Sequence, residues 1–424
     1  MTHSFTVSGR LISYLMLAGL VAYGLNYQIT KTLLHLSALV ALVTWLRAGV
    51  LCFTKKNSLP IDIDLKDPRI ILSTLLLLSA SIVLVETSLS DTFMSARFRK
   101  DFVTPAICFA LILPVAAVDK RTFQLFRWAV PVAAVCMAIP GIIDQYADRP
   151  PHYRTSGNIA LQIIYGTNLA ILNATGVILM MTMKPLKHPI LLVLSFLATV
   201  LGVWAIILSG SRGPLLSILL VSFITVSLIS ARHFGLLKTF VIIILLCLTS
   251  SFAVIQSSIF SRLTDGFNNV STNVTNSSLG LRFEMWKGAK DLIIEHPISG
   301  VGVGQQNDHF KARNQEQQDY MHPEATDFIH LHNDVVNAIT WMGIPLGLLF
   351  MAFAVYPLIW ALKARKEVVP QAMIAVSVIY LLNGLTNTPS IRATSLTLML
   401  SVVFLLLQFS AYRSETPSSS SNAR

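Results

Sequence analysis

Long apolar runs without charge alternate with short polar links along most of the chain; Leu11–Tyr27 and Phe102–Val118 are two such runs. A helix crosses a bilayer with about 20 predominantly apolar residues. The pattern therefore predicts about twelve spans, at 11–27, 33–53, 70–89, 102–118, 125–143, 158–183, 190–208, 214–231, 236–255, 343–362, 370–387 and 393–411. Arg47 and Arg127 fall inside two of these runs and are expected to snorkel to a membrane edge. The fold class that follows is an all-α integral membrane protein.

The alternation breaks once. Between the ninth and tenth runs lies a polar segment, 256–330, long enough to be structured and to have a task of its own. It opens with Asn, Ser and Thr over Asn268–Ser278, then shows helical spacing over Leu281–Ile294, and then turns through Ile298-Ser-Gly-Val-Gly-Val-Gly304. The expected organisation is spans one to nine in 1–255, the loop in 256–330, a re-entrant helix start with the last three spans in 331–412, and a Ser-rich disordered tail in 413–424.

Composition agrees with the pattern. Of 424 residues 54% are hydrophobic and only 12% charged, with mean hydropathy +0.64, against about 25% charged in soluble domains. The net charge of +11 does not point to nucleic acid. The basic residues sit in short links, and no basic helix with interleaved aromatics occurs in a polar stretch. With both termini inside, the cytoplasmic links hold Lys55, Lys56, Lys66, Arg69, Lys120, Arg121, Lys363, Arg365 and Lys366, as the positive-inside rule requires. The long loop then faces outward. Arg10 precedes the first run with no small-residue cleavage site after it, so that run is expected to stay as an uncleaved span. Cys52, Cys108, Cys136 and Cys247 lie in or beside apolar runs without CxxC spacing and are expected to be packing residues.

Basic residues on the outer side go against the topological rule and so invite a role with an anionic substrate. Arg97, Arg99 and Lys100 occupy one external loop, and Arg149 and Arg154 another. Arg212 sits in Leu208-Ser-Gly-Ser-Arg-Gly-Pro214, where a charge at a membrane turn needs a polar cavity or an anion. Its planar fork suits phosphate oxygens. Arg282 opens the amphipathic helix of the loop; the competing reading is an ion pair with Glu284 or Asp291. His332, in His330-Leu-His-Asn-Asp334, falls where the loop re-enters apolar sequence. Neighbouring arginines and a helix start disfavour its protonated form, and a neutral imidazole can accept a proton from a sugar hydroxyl. His330, two residues away, should point elsewhere in either helix or strand, and Asn333 or Asp334 could orient the ring. His322, Glu324, Asp327, His330 and His332 are all metal-ligand types, but their spacing matches no zinc pattern such as HExxH, so no metal or other cofactor is expected.

Taken in order, Ser-Arg-Gly at 211–213, Leu-Arg-Phe-Glu-Met-Trp at 281–286, His-Pro-Ile-Ser-Gly-Val-Gly-Val-Gly at 296–304, His-Leu-His-Asn at 330–333 and the following Gly343 resemble the O-antigen ligase and polymerase superfamily, with the ligase branch nearest. Leu346 departs from the residue some ligases carry there, with Gly347 adjacent. The specific motifs cover 205–347. The resemblance implies a glycosyltransferase of the bacterial inner membrane, with its site facing the periplasm. It would move a completed glycan from undecaprenyl pyrophosphate onto a terminal sugar of lipid A–core, without metal or nucleotide and with inversion at the anomeric carbon. It implies His332, Arg212 and Arg282 as the catalytic set. Arg154, in Arg154-Thr-Ser-Gly157, follows as a substrate-binding candidate beside Asn333, Arg97 and Arg99. An O-antigen polymerase or a protein O-oligosaccharyltransferase would show the same motifs. A lipid-linked glycan transporter is the alternative of another class, and Glu86 inside the third run is the feature that favours it.

Overall fold

A computed structural model describes residues 2–55, 64–147, 153–157, 161–181, 188–233, 278–317, 320–364 and 368–415. Among these residues all regular secondary structure is helical and no strand forms. Eight helices are long and apolar enough to cross a membrane. α1 (Thr2–Leu25) and α2 (Tyr27–Lys55) form a hairpin and α3 (Pro68–Ser88) follows, with Asp67 accepting from Arg69 N to cap its start. Short α4 (Phe93–Phe98), a π-helical turn (Arg99–Val103) and α5 (Thr104–Ile112) make one continuous bent helix. Then come α6 (Lys120–Tyr146), α7 (Gln162–Met181), α8 (Pro189–Leu208) and α9 (Arg212–His233). After the undescribed stretch lie α10 (Ser278–Glu295) and α11 (Gln306–Glu316), then α12 (Asp334–Lys363), α13 (Val368–Gly384) and α14 (Ala393–Glu415).

α7 is the axis of the bundle. Its side chains from Ile164 to Leu179 are almost all buried, and α6, α8, α9, α13 and α14 pack around it. α14 is comparably enclosed, whereas α2 and α8 turn exposed Leu, Val and Phe outward, as surfaces against lipid do. Because helices alternate in direction, the ends of α1, α3, α6, α8 and α13 meet the starts of α2, α7, α9, α12 and α14 at one end of the bundle.

Ten of the expected spans coincide with helices among the described residues, eight of them at nearly the expected limits and two, the first and the tenth, starting nine residues early; 236–255 lies outside the described residues. The fourth expected span, 102–118, differs. Its helix is the apolar second half of Phe93–Ile112, whose first half carries Arg97, Arg99, Lys100 and Asp101. These basic residues are therefore helical, not in a loop. A stretch that is half charged does not reach the hydropathy of a span. The tenth expected span begins nine residues early, at Asp334, because Asp334, Asn337 and Thr340 are polar yet buried against protein. Glu86 lies in the last turn of α3, near its end, not at mid-membrane.

The loop segment has its own small core. Leu281, Met285, Ala289 and Leu292, spaced along one face of α10, bury against Val301, Phe310, Met321, Ala325 and Leu331. The glycine-rich turn joins this unit to the bundle. α12 kinks at Gly343, with φ 75° and ψ 169°. Pro345 has no N–H for the carbonyl of Trp341, and the kink also frees the carbonyl of Thr340. The turn supplies both missing donors: Val301 N–H reaches Thr340 O at 2.9 Å and Gly302 N–H reaches Trp341 O at 2.9 Å. In exchange, Ile344 N–H donates to Pro297 O at 2.8 Å. A side chain on Gly343 would collide with Ile298 backbone. On its other side the turn is held by Ser90, Thr92 and Ser95, whose hydroxyls all donate to Val303 O at 3.0–3.2 Å.

Candidate active site

Arg212 is the first residue of α9 and follows a tight turn at Ser209-Gly210-Ser211 with Gly210 at φ 59°. Arg154 braces that turn. Its Nε donates to Ser209 O at 2.9 Å and its Nη2 to Gly210 O at 3.1 Å. Gly213 lets α9 approach the end of α13 closely, where a Cβ would meet Thr386 Oγ1 at 2.9 Å. Asn383 Nδ2 donates to Ser217 Oγ at 3.0 Å across the same seam.

Arg282 comes to the same place on α10. Trp286, one turn along the same helix face, donates its indole N–H to Leu331 O at 2.8 Å and so ties Arg282 to the segment bearing the histidines. The competing partner Asp291 is engaged elsewhere, accepting from Tyr320 at 2.6 Å with Arg313 3.7 Å away. Burial, with Arg212 adding like charge, holds Arg282 below the ordinary arginine value.

Among the described residues His332 is the only non-glycine residue at positive φ, 51°. Such a backbone costs on the order of 1–3 kcal/mol and persists only where its surroundings impose it. The impositions are visible: Leu331 N–H donates to Asn337 Oδ1 at 2.9 Å, and Asn333 caps α12 by accepting from Val335 N and Val336 N. The sharp turn cancels both helix and strand periodicity. His330 does not point away from His332; the two rings lie 4.3 Å apart, edge to face. Phe328 packs against His332 from another side, with ring centroids at 5.4 Å.

The two histidines differ in what their nitrogens do. His330 is only 7% exposed, and its Nε2 lies 3.2 Å from Arg392 Nη2. An arginine can only donate, so that imidazole lone pair is taken. His332 is half-buried; its Nδ1, like that of His330, is buried without a protein hydrogen-bond partner, and neither of its nitrogens meets an arginine within hydrogen-bond distance. Burial, then Arg282 and Arg392, push His332 down to about 4. Burial, then His332 and Arg392, push His330 down to about 3. Neighbouring positive charge acts in the direction expected from sequence, but burial is the larger cause. Both rings are neutral at ordinary pH.

Arg392 was missed by the motif reading. It stands between the short 3-10 turn Pro389–Ile391 and α14, and is drawn below the ordinary arginine value by burial and by Arg97, with Asp101 opposing. The signal was there: like Arg97 and Arg154, it is a basic residue shortly before an apolar run, at an end where the expected topology puts few basic residues. Buried Asp334 fixes the turn that presents it, accepting from Ser390 Oγ at 2.7 Å and Ser390 N at 3.1 Å.

The site thus gathers Arg212, Arg282, Arg392, His330 and His332, with Arg97 at its edge, 3.5 Å from Asp101. Three other sequence candidates hold backbone instead. Asn333 caps α12 and donates to Leu385 O at 3.2 Å. Arg99 binds the end of α3 through Thr87 Oγ1 at 3.1 Å and Thr87 O at 2.6 Å. Arg154 braces the turn before Arg212. Of the metal-ligand types, His322 accepts from Glu324 N and Asp327 pairs with Lys311, and among the described residues no three His, Cys, Asp or Glu side chains converge. A cluster of guanidinium groups around a neutral imidazole can bind a multiply charged anion and accept one proton beside it.

Residues 197–351 match the model of the family described as O-antigen ligase, as the motifs implied. The matched stretch contains Arg212, Arg282, His330 and His332; Arg97, Arg154 and Arg392 lie outside it. No curated protein matches the chain.

Proposed function

We propose, from the match of residues 197–351 to the family described as O-antigen ligase, that this membrane protein transfers a glycan en bloc from undecaprenyl pyrophosphate to a terminal sugar of lipid A–core. The observation that carries the reading is the grouping of Arg212, Arg282 and Arg392 around two neutral histidines, of which only His332 has a lone pair not taken by an arginine. The donor brings its own activation in the sugar–pyrophosphate bond. His332 takes the proton of the acceptor hydroxyl as its oxygen attacks the anomeric carbon. The bond from that carbon to the pyrophosphate oxygen breaks, and the electron pair leaves on the phosphate. Arg212 and Arg282 stabilise the charge that develops there, a contribution that is often the largest in such reactions. Attack opposite the leaving group inverts the anomeric carbon. Arg392 holds His330 neutral and adds positive potential. Arg154, Arg99 and Asn333 act by holding the backbone that carries these groups.

The positive-inside distribution supports a periplasmic location for this end, with both termini cytoplasmic in the bacterial inner membrane. Both lipids would then reach the site sideways from the outer leaflet.

The test is a transfer assay with purified protein, undecaprenyl-pyrophosphate-linked glycan and rough lipopolysaccharide, in EDTA, comparing wild type with His332→Asn. Asparagine tolerates the left-handed backbone but offers no base. Transfer by the wild type and its loss in the variant support the reading. Elongation of the lipid-linked glycan itself, without transfer to lipopolysaccharide, would make the protein a polymerase. Vectorial movement of the lipid-linked glycan with no transfer to any acceptor would make it a transporter.

A further inference from the structure

Beside the histidine site, α2, the π-helical turn and the start of α14 enclose a second cleft of about 150 Å³. That is about the size of cavities that hold a benzene-sized guest, and a phosphate is no larger. Two cations from separate elements line it, Lys31 of α2 and Lys100 of the π-helical turn. Neither forms an ion pair among the described residues, although Asp101 lines the same cleft. Gln28, Lys31 and His35 follow one another at intervals of three and four residues, so the start of α2 presents a polar stripe to the cleft. Polar side chains in a span are costly unless a cavity uses them. The π-helical turn lies beside this cleft, as single π turns often lie at sites. Tyr27 and Thr397 complete the polar wall, with their hydroxyls 3.4 Å apart.

The cleft is joined to the active site but distinct from it. Asp101 pairs with Arg97 at 3.5 Å and raises Arg392, while Ala393, in the cleft wall, directly follows Arg392. On the outer side, α2 continues as an exposed apolar face through Leu36, Leu39, Val43, Leu46 and Val50. A ligand with an anionic head in the cleft could lay an acyl chain along that face.

We propose that Lys31 and Lys100 form a subsite for the phosphate of an amphiphile entering from the membrane. Such a phosphate could come from the lipid A–core acceptor or from an ordinary anionic phospholipid. Only the assignment to the acceptor rests on the function proposed above.

The full-length protein in detergent can be tested by native mass spectrometry with three probes: lipid A–core, its phosphatase-treated form, and phosphatidylglycerol. Wild type should hold a phosphorylated probe about tenfold more tightly than the dephosphorylated one, the size expected of charge-assisted hydrogen bonds at a half-exposed site. Lys100→Gln, at an exposed position, and Lys31→Gln/Lys100→Gln should lose that preference, Lys31→Arg/Lys100→Arg should keep it, and Lys290→Gln, on α10 away from the cleft, should not change it. A preference for lipid A–core alone assigns the acceptor; equal retention of phosphatidylglycerol assigns a general phospholipid. Absence of a phosphate preference in wild type, or its persistence in both Gln variants, overturns the subsite. Glycan transfer measured in parallel separates the two ideas: normal transfer without phosphate preference sinks the subsite alone, and phosphate preference without transfer sinks the ligase alone.

Discussion

The two ends of this bundle treat arginine in opposite ways. At the end formed by the starts of α1, α3 and α6, two arginines meet carboxylates: Arg69 is held by Asp67 at 2.5 Å and also reaches Gln408, and Arg10 lies 3.7 Å from Asp119, while Arg127 lies over the Phe123 ring, 6.0 Å from its centroid. Asp67 and Asp119 also cap the helices they precede. At the other end, Arg282, Arg212, Arg392 and Arg97 weigh on one another and on two histidines. Burying like charges together is costly, and a fold sustains that cost where an anion is to be bound. Positive charge is balanced by carboxylates at Arg69 and Arg10 and accumulates around the two histidines.

Substitutions at the two ends should separate these roles. The largest effect is expected at His332→Asn, with glycan transfer falling about 10²–10⁴-fold, the usual worth of a positioned base. Arg282→Ala should lower transfer about 10²–10³-fold, the cost of losing a charge-stabilising donor, with the melting temperature little changed or raised, since like-charge repulsion is relieved. An equally large loss from Arg69→Ala at the opposite end would break the comparison. Trp286→Phe removes the bond to Leu331 O but keeps the ring, and should cost about tenfold in rate, as one buried hydrogen bond would. The pH dependence sharpens the contrast. The folded state holds His332 near 4, below its ordinary 6.5, so its neutral form is the favoured one. The stability this gives is complete above about pH 6.5 and is lost as pH falls towards 4. Transfer rate should then be level across neutral pH and fall only near the lower value; an inflection near 6.5 would mean that the ring is solvated. The smallest effect on transfer is expected at Arg69→Ala: unchanged transfer per folded molecule, with stability lowered by about 1–3 kcal/mol, as loss of charged hydrogen bonds at a largely buried pair does.

Much of this was legible in the sequence because span length and apolar run length are the same physical quantity. Helices from Pro68, Pro189 and Ala393 begin within a few residues of their expected starts. Where polar residues are buried against protein, hydropathy misplaces the boundary, as at Asp334. Where a helix is charged for half its length, hydropathy hides it, as at Phe93. The site was legible where charge stood beside apolar runs against the expected charge pattern. Arg212, Arg282 and His332 converge as their motifs suggested. The division between His330 and His332 was not legible, because it depends on one backbone torsion and on Arg392, which lies in the sequence far from both. Nor could spacing show that Arg154 and Arg99 hold turns, since the carbonyls they bind are distant or in another helix.

The exchange of hydrogen bonds between the glycine-rich turn and the kink of α12 has a consequence for biosynthesis. The groups it brings together come from positions 97, 212, 282, 332 and 392. A chain emerging from the ribosome can therefore insert most of its helices while the reaction centre does not yet exist. Competence arrives late and all at once, when α12 offers its two freed carbonyls to the turn and α14 delivers its arginine.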